Sequence, residues 1–241
     1  MIFLLENRLR IRDVEIPFEH VDRSRYRIRL SFKDSGTLLI ETQTGIGEFE
    51  KNFISEKKRW ILNTHKRFQR EVSERSTLLK NLDTFVPLLG IDVPVEYLQG
   101  PKTRFRYEKN QKLIITAPHP YFLTHRKQLV AVAGRKLASV YLDIHMKKWA
   151  DITEMNYNQL KIKDHSSKWG SCSVERNINL NWYLIWLEEK LIDYVIVHEL
   201  MHLHEMNHGP RFWKWVEKYI PDYVERKKLI DQRQWVIGVL K

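Results

Sequence analysis

Three observations predict an α+β chain. Short runs of alternating apolar and polar residues, broken by turn residues, fill much of the first 118 positions. From Thr124 to about Trp149 the apolar residues instead recur at helical spacing. A further helix carries a cluster of histidines near the C-terminus and is followed at once by turn and terminator residues. Strands dominate one end and helices the other, the pattern of a segregated α+β fold rather than an alternating α/β one.

The elements follow in order. Tyr26-Arg27-Ile28-Arg29-Leu30-Ser31-Phe32, a turn at Lys33-Asp34-Ser35-Gly36, and Thr37-Leu38-Leu39-Ile40-Glu41 read as a hairpin. A helix is expected from about Glu48 to Thr77, with Phe53, Ile54, Lys57, Trp60, Ile61 and Phe68 along one face. Val93 to Tyr97, Thr103 to Tyr107 and Lys112 to Thr116, separated by Gly100-Pro101 and Glu108-Lys109-Asn110, suggest a meander that Pro118 and Pro120 end. Thr124 then supplies an N-cap for the long helix, whose core stripe is read as Leu129, Val132, Ala133, Lys136, Leu137, Val140, Tyr141 and Ile144. Short strands are expected at Gln159 to Lys163, Lys168 to Ser173 and Asn177 to Trp182, with Val174-Glu175-Arg176 as a tight turn. The histidine-bearing helix starts at about Glu188, and one or two helices fill Arg211 to the end. No internal repeat, low-complexity tract or linker is read. The organisation expected is a β-rich region over 1–118 with one long helix and a second region over 119–241, together one compact unit.

With 241 residues, 43% of them hydrophobic, the chain can bury a sizeable core. The apolar start Met1-Ile2-Phe3-Leu4-Leu5 is cut by Glu6 and Arg8, too soon for a signal peptide, and no stretch approaches a membrane span. A single cysteine, Cys172, excludes an intramolecular disulfide and an all-thiolate metal centre, and fits a cytoplasmic location. The formal charge of +11 favours polyanionic partners without choosing among nucleic acid, nucleotides and acidic peptides.

The chemistry concentrates in Val197-His198-Glu199-Leu200-Met201-His202-Leu203-His204-Glu205-Met206-Asn207-His208. Residues four apart lie about 40° apart around a helix and roughly 6 Å along it, so His198 and His202 project from one face. Asn207, Gly209 and Pro210 stop the helix, which lets His208 return towards the other two. Three imidazoles with an open fourth position match a catalytic zinc site, one ion per chain, and Glu199 is placed to act as general base on the water that such a site activates. Glu205 is the competing third ligand, but it lies only three residues past His202. His204 falls on the opposite face and reads as a surface residue. Phe212, Trp213 and Trp215 read as packing beneath the site, and Cys172 as a small buried residue rather than a nucleophile.

The combined strings KWGSCS, INLNW, DYVIVHELMHL, NHGPRFW and PDY resemble the YgjP-like metallopeptidase family, relatives of the SprT-like and minigluzincin zinc proteins. The resemblance runs through almost the whole chain, RYRIRLSFKDSGTLLI and the KRWI helix included. It implies a zincin-like catalytic region with an HExxH active-site helix, zinc on His198, His202 and His208, and Glu199 as the base. Lys168 stands where the family usually has Arg, which turns a bidentate anion contact into a point charge. Lys168, Trp169, Gly170, Ser171 and Arg211 are the candidate substrate contacts, with Lys168 to Ser173 as the edge strand along which an extended peptide would pair. A zinc metallopeptidase is the leading reading. A metal-dependent nucleoside triphosphate pyrophosphatase, suggested by the positive charge with Lys168 and Arg211, and a SprT-like DNA-associated protease are the alternatives.

Overall fold

A computed structural model describes residues 2–5, 7–23, 27–33, 35–43, 45–108, 111–118 and 125–241. It divides into two compact units, Met1–Glu74 and Arg75–Lys241.

The first unit holds β1 (Ile2–Leu5), β2 (Arg8–Ile11), β3 (Val14–Asp22), β4 (Arg29–Phe32) and β5 (Leu38–Thr42), in the order β1-β2-β3-β5-β4. The expected hairpin is β4–β5, antiparallel from Arg29↔Glu41 to Phe32↔Leu38. Leu9, Ile11, Ile16, Phe18, Leu38 and Ile40 close on Ile54 and Ile61 from two helices. These are α1 (Glu48–Glu56) and α2 (Lys58–Asn81), where the sequence suggested one. Lys57 interrupts them at φ −85°, ψ 2°, without a glycine or proline to announce it.

The second unit begins with β6 (Phe85–Leu88), β7 (Ile91–Gln99), β8 (Arg104–Glu108) and β9 (Lys112–Ala117), ordered β6-β7-β9-β8. The meander expected here is corrected. β7 runs parallel to β9, and β8 lies outside β9. The loop at Gly100 makes the crossing, its N–H donating to Ala117 O at 3.1 Å where a Cβ would meet Thr116 Cγ2 at 2.4 Å.

That arrangement repeats β2-β3-β5-β4 of the first unit, so the sequence does contain an internal repeat. Val14-Glu15-Ile16-Pro17-Phe18-Glu19-His20-Val21 matches Ile91-Asp92-Val93-Pro94-Val95-Glu96-Tyr97-Leu98 in residue class at every position but His20/Tyr97. The hairpins close at Ile11↔Val14 and Leu88↔Ile91, and the parallel ladders start at Phe18↔Leu38 and Val95↔Leu113. Pro17 and Pro94 each stand where the antiparallel ladder ends and the parallel one begins, a place that tolerates a missing N–H. The copies differ at the hairpin turn. Arg12-Asp13 is exposed, whereas Leu89 donates its N–H to Ile185 O at 2.8 Å, and a Cβ on Gly90 would lie 2.7 Å from Glu188 Cγ. The second copy is thereby fastened to the segment that leads into the histidine-bearing helix.

The remaining elements are α3 (Arg126–Thr153), β10 (Gln159–Lys163), β11 (Gly170–Cys172), β12 (Asn177–Asn181), a 3₁₀ turn (Trp182–Trp186), α4 (Glu189–Met201), α5 (Pro210–Tyr219), α6 (Tyr223–Gln232) and a closing 3₁₀ turn (Gln234–Val236). Thr124 and Pro120, expected as cap and terminator, lie outside the described residues. The α3 stripe is corrected in part: Leu129 and Ala133 are buried as read, but Val132, Lys136, Val140 and Ile144 are exposed, and the core face also takes Val130, Gly134, Ala138, Leu142, Met146 and Ala150. Small residues form it because Trp182 packs there, where a Cβ on Gly134 would come within 2.7 Å of its ring. Val86, Val93 and Leu113 share one core with α3 and α4. For that reason the division falls at Glu74/Arg75 and not at the expected 118/119. Among the described residues no helix is long and apolar enough to cross a membrane.

Candidate metal centre

α4 is hydrophobic on most of its circumference, with Leu191, Ile192, Val195, Ile196, Val197, Leu200 and Met201 all buried. Such a helix sits inside a core and can carry polar groups only where they find partners. It ends at Met201 with His202 as its C-cap, and the chain turns through Leu203 to Gly209 before Pro210 starts α5 at a position that needs no N–H. This reversal brings His208 back onto the helix. One ring nitrogen from each of His198, His202 and His208 falls within 4.8 Å of the others.

The cluster is braced from beneath and behind. Phe212 is fully buried, its ring centroid 4.9, 4.6 and 4.7 Å from those of His198, His202 and His208. Trp213 donates its indole N–H to His208 O at 3.0 Å and stacks on Tyr223. His202 Nδ1 lies 3.1 Å from Glu205 O, a contact that places the proton on Nδ1 and leaves Nε2 with its lone pair. Glu205 therefore serves through its backbone, and its carboxylate is not in the cluster. His204, read as a surface residue, is exposed and stacks on Trp215 at 4.3 Å.

Burial keeps the His198 and His202 rings neutral. Burial, followed by the neighbouring His202, His208 and Lys227, pushes His198 down to about 3, and burial likewise lowers His202. His198 Nε2 and His208 Nε2 approach to 2.9 Å. Three imidazole nitrogens this close form a donor set suited to a divalent cation of the zinc type.

Glu199 points away from solvent, 5% exposed, and its Oε2 has no hydrogen-bond partner among the described residues. Burial pushes its carboxyl up to about 8, against the opposing charge of Lys168. It lies under β11. This strand is the edge of a three-stranded sheet ordered β10-β12-β11 and, among the described residues, pairs only with β12, so the expected edge position is where the structure has it. Asn181 N–H bonds Trp169 O at 2.7 Å and Ser173 N–H bonds Asn177 O at 3.0 Å. Antiparallel alternation then turns the N–H and C=O of Gly170 and Cys172 to the free edge.

The other candidate residues divide by role. Lys168 is exposed in the loop entering β11, close enough for its charge to act on Glu199. Trp169 is buried and belongs to the core, and Ser171 Oγ accepts from Asn179 Nδ2 at 3.1 Å across the strand pair. Arg211 is exposed in the first turn of α5, with no hydrogen bond or ion pair to the histidines among the described residues. Asn181 was not singled out from sequence. Fully buried, it donates Nδ2–H to His165 O at 3.0 Å and Lys168 O at 2.9 Å, and accepts from Tyr183 N–H at 3.2 Å. It holds the loop that leads into the edge strand.

Comparison with known proteins gives a match of residues 26–233 to the family model described as YgjP-like, metallopeptidase domain. Two solved structures are similar to this chain at 25% identity and a TM-score of 0.35 each. They are the metallopeptidase zymogens of Methanocaldococcus jannaschii jannalysin and Pyrococcus abyssi abylysin, with 38% and 37% of this chain covered against 95% and 90% of theirs. A search of curated proteins returned no match.

Proposed function

The chain belongs to the YgjP-like metallopeptidase family and is a hydrolase of that class, and we propose that it cleaves peptide bonds with one zinc ion held by His198, His202 and His208 and with Glu199 as general base. The observation that carries this reading is the convergence of three imidazole nitrogens within 4.8 Å beside a buried carboxyl oxygen without a hydrogen-bond partner among the described residues. Zinc at such a site would polarise a carbonyl and lower the pKa of a bound water to about 7.

The protein supplies the rest. His198 and His202 arrive on one rigid helix, and Phe212 with the Trp213 indole fixes the returning His208. Glu199 takes the proton from the attacking water and delivers it to the leaving amine. An extended substrate backbone pairs with the outward N–H and C=O groups of Gly170 and Cys172, which presents its carbonyl beside the histidines. Peptidase membership puts this ahead of pyrophosphohydrolysis and of DNA-directed proteolysis.

Glu199→Gln tests the reading, because the amide keeps the volume and cannot accept the proton. Zinc content and thermal melt should match wild type, with peptide hydrolysis reduced about 10²- to 10⁴-fold. Hydrolysis within a factor of a few of wild type would remove Glu199 from the mechanism.

A further inference from the structure

We infer that Gly170 is a positioning residue for Glu199: the absence of a side chain at Gly170 makes the seat in which the Glu199 carboxylate lies. A Cβ built on Gly170 would fall 2.5 Å from Glu199 Oε1, 2.7 Å from Cγ and 2.8 Å from Cδ. Contacts under 3.0 Å are essentially never made by real Cβ atoms, and here three successive atoms of one side chain intrude. The obstacle is not the flexible end of a surface residue. Glu199 is enclosed on a helix whose neighbours Val197, Leu200 and Met201 are fully buried, so the carboxyl group has little room to retreat.

The strand has little freedom either. β11 is pinned to β12 through Gly170↔Leu180, Ser171↔Asn179 and Cys172↔Ile178, with Leu180 and Ile178 fully buried. Successive side chains alternate between the faces of a strand, so Gly170 and Cys172 share the face that covers Glu199. Cys172 also feels the Glu199 charge, as this placement requires. No strained backbone demands glycine at 170, since the glycines in the left-handed region are Gly36, Gly45, Gly90 and Gly238. What the position demands is space, and the group that takes it is the proposed base. The edge strand therefore does two things at one residue. Its backbone faces the free edge, and its empty side-chain position fixes where the carboxylate rests.

This inference rests on the reading of Glu199 as general base for its kinetic consequence, but not for its structural one, so the two can be tested apart. The structural test is a double-mutant cycle in thermal stability on the full chain. Gly170→Ala should lower Tm by roughly 2–10 °C, the effect of overpacking in a chain this size. In a Glu199→Ala background, where the three obstructing atoms are gone, the same change should be neutral or stabilising. Equal destabilisation in both backgrounds would overturn the inference whether or not Glu199 is the base.

The kinetic test uses the same variant with zinc bound. Gly170→Ala should keep one zinc per chain and an unchanged KM, and lose kcat on the order of 10²-fold, as displacement of a catalytic group by about 1 Å does. Combined with Glu199→Gln it should add little to the loss of the single variant. A raised KM with unchanged kcat, or losses that multiply, would reassign Gly170 to substrate pairing and overturn the positioning role. An active Glu199→Gln with the stability cycle intact would instead sink the general-base reading and leave the seat standing.

Discussion

Removing the Asn181 side chain tests how the loop before the edge strand is held. Asn181→Ala deletes three hydrogen bonds at once, to His165 O, Lys168 O and Tyr183 N–H. The Tyr183 amide belongs to a residue only 1% exposed and cannot turn to water, so its loss should cost about 1–3 kcal/mol. His165 and Lys168 lie nearer the surface, and their carbonyls can be partly rehydrated, for about half that cost each. The total is about 2–6 kcal/mol, or roughly 4–24 °C in Tm for a chain of this size. Asn181→Asp sharpens the test. It keeps an acceptor for Tyr183 N–H but sets a buried carboxylate against two carbonyl oxygens, which raises the pKa of the introduced group in the folded state. A raised folded pKa means that the native state binds the proton more tightly than the unfolded one. Stability should therefore fall as pH rises from about 4 towards 7 and recover on acidification. Urea unfolding followed by circular dichroism at pH 5 and 7 measures both variants. An Asn181→Ala loss under about 0.5 kcal/mol, or an Asn181→Asp variant with the wild-type pH profile, would refute the account.

The ligand set predicts that His198→Ala, His202→Ala and His208→Ala each abolish stoichiometric zinc, while Glu205→Ala retains it because only its backbone touches His202. Metal analysis by mass spectrometry decides, and full occupancy in His208→Ala would show the wrong third ligand. Burial, followed by the charge of Glu199, pushes the Cys172 thiol up to about 11. At pH 8 only about one thiol in 10³ is then ionised, so alkylation by iodoacetamide should run about 10²-fold slower than for a free cysteine. The rate should climb about tenfold per pH unit to near pH 10. A rate at pH 8 close to that of a small thiol would contradict the described environment.

Much of the fold was legible because periodicity is a local property. The β4–β5 hairpin, the long helix α3, the turn at Val174 to Arg176 and the start of α4 lie close to where alternation and capping residues put them. Two readings failed, and the first did so because burial was inferred from side-chain size. On α3 the large β-branched residues Val132, Val140 and Ile144 face outward, while Gly134 and Ala138 line the core against Trp182. A scale that scores a residue by its own hydrophobicity cannot see that a large partner needs a small one opposite. The meander failed because a parallel pairing such as β7–β9 leaves no mark in the loop between. The repeat would have supplied that mark. Had Val14 to Val21 been set against Ile91 to Leu98, the matching prolines and charges would have tied both sheets to one topology.

The site was legible in proportion to how much of its chemistry sits in side chains. His198, Glu199, His202 and His208 announce themselves because imidazole and carboxylate at helical spacing have few other uses inside an apolar helix. Phe212 was rightly read as packing, although its place under all three rings is a tertiary fact. Asn181 and Gly170 are harder, since one acts through backbone carbonyls distant in sequence and the other by what it lacks. Both lie on the strand pair β11–β12, which the motif search approached as a surface for substrate and not as a wall of the site. The geometry reverses that emphasis. A buried carboxyl oxygen without a hydrogen-bond partner among the described residues is placed by its enclosure, so the residues that shape that enclosure help to determine where it rests. On the proposed reading of Glu199 as base, the edge strand would belong to the catalytic apparatus before any substrate arrives, and its spacing from α4 would bear on the proton transfer as well as on the fit of the peptide.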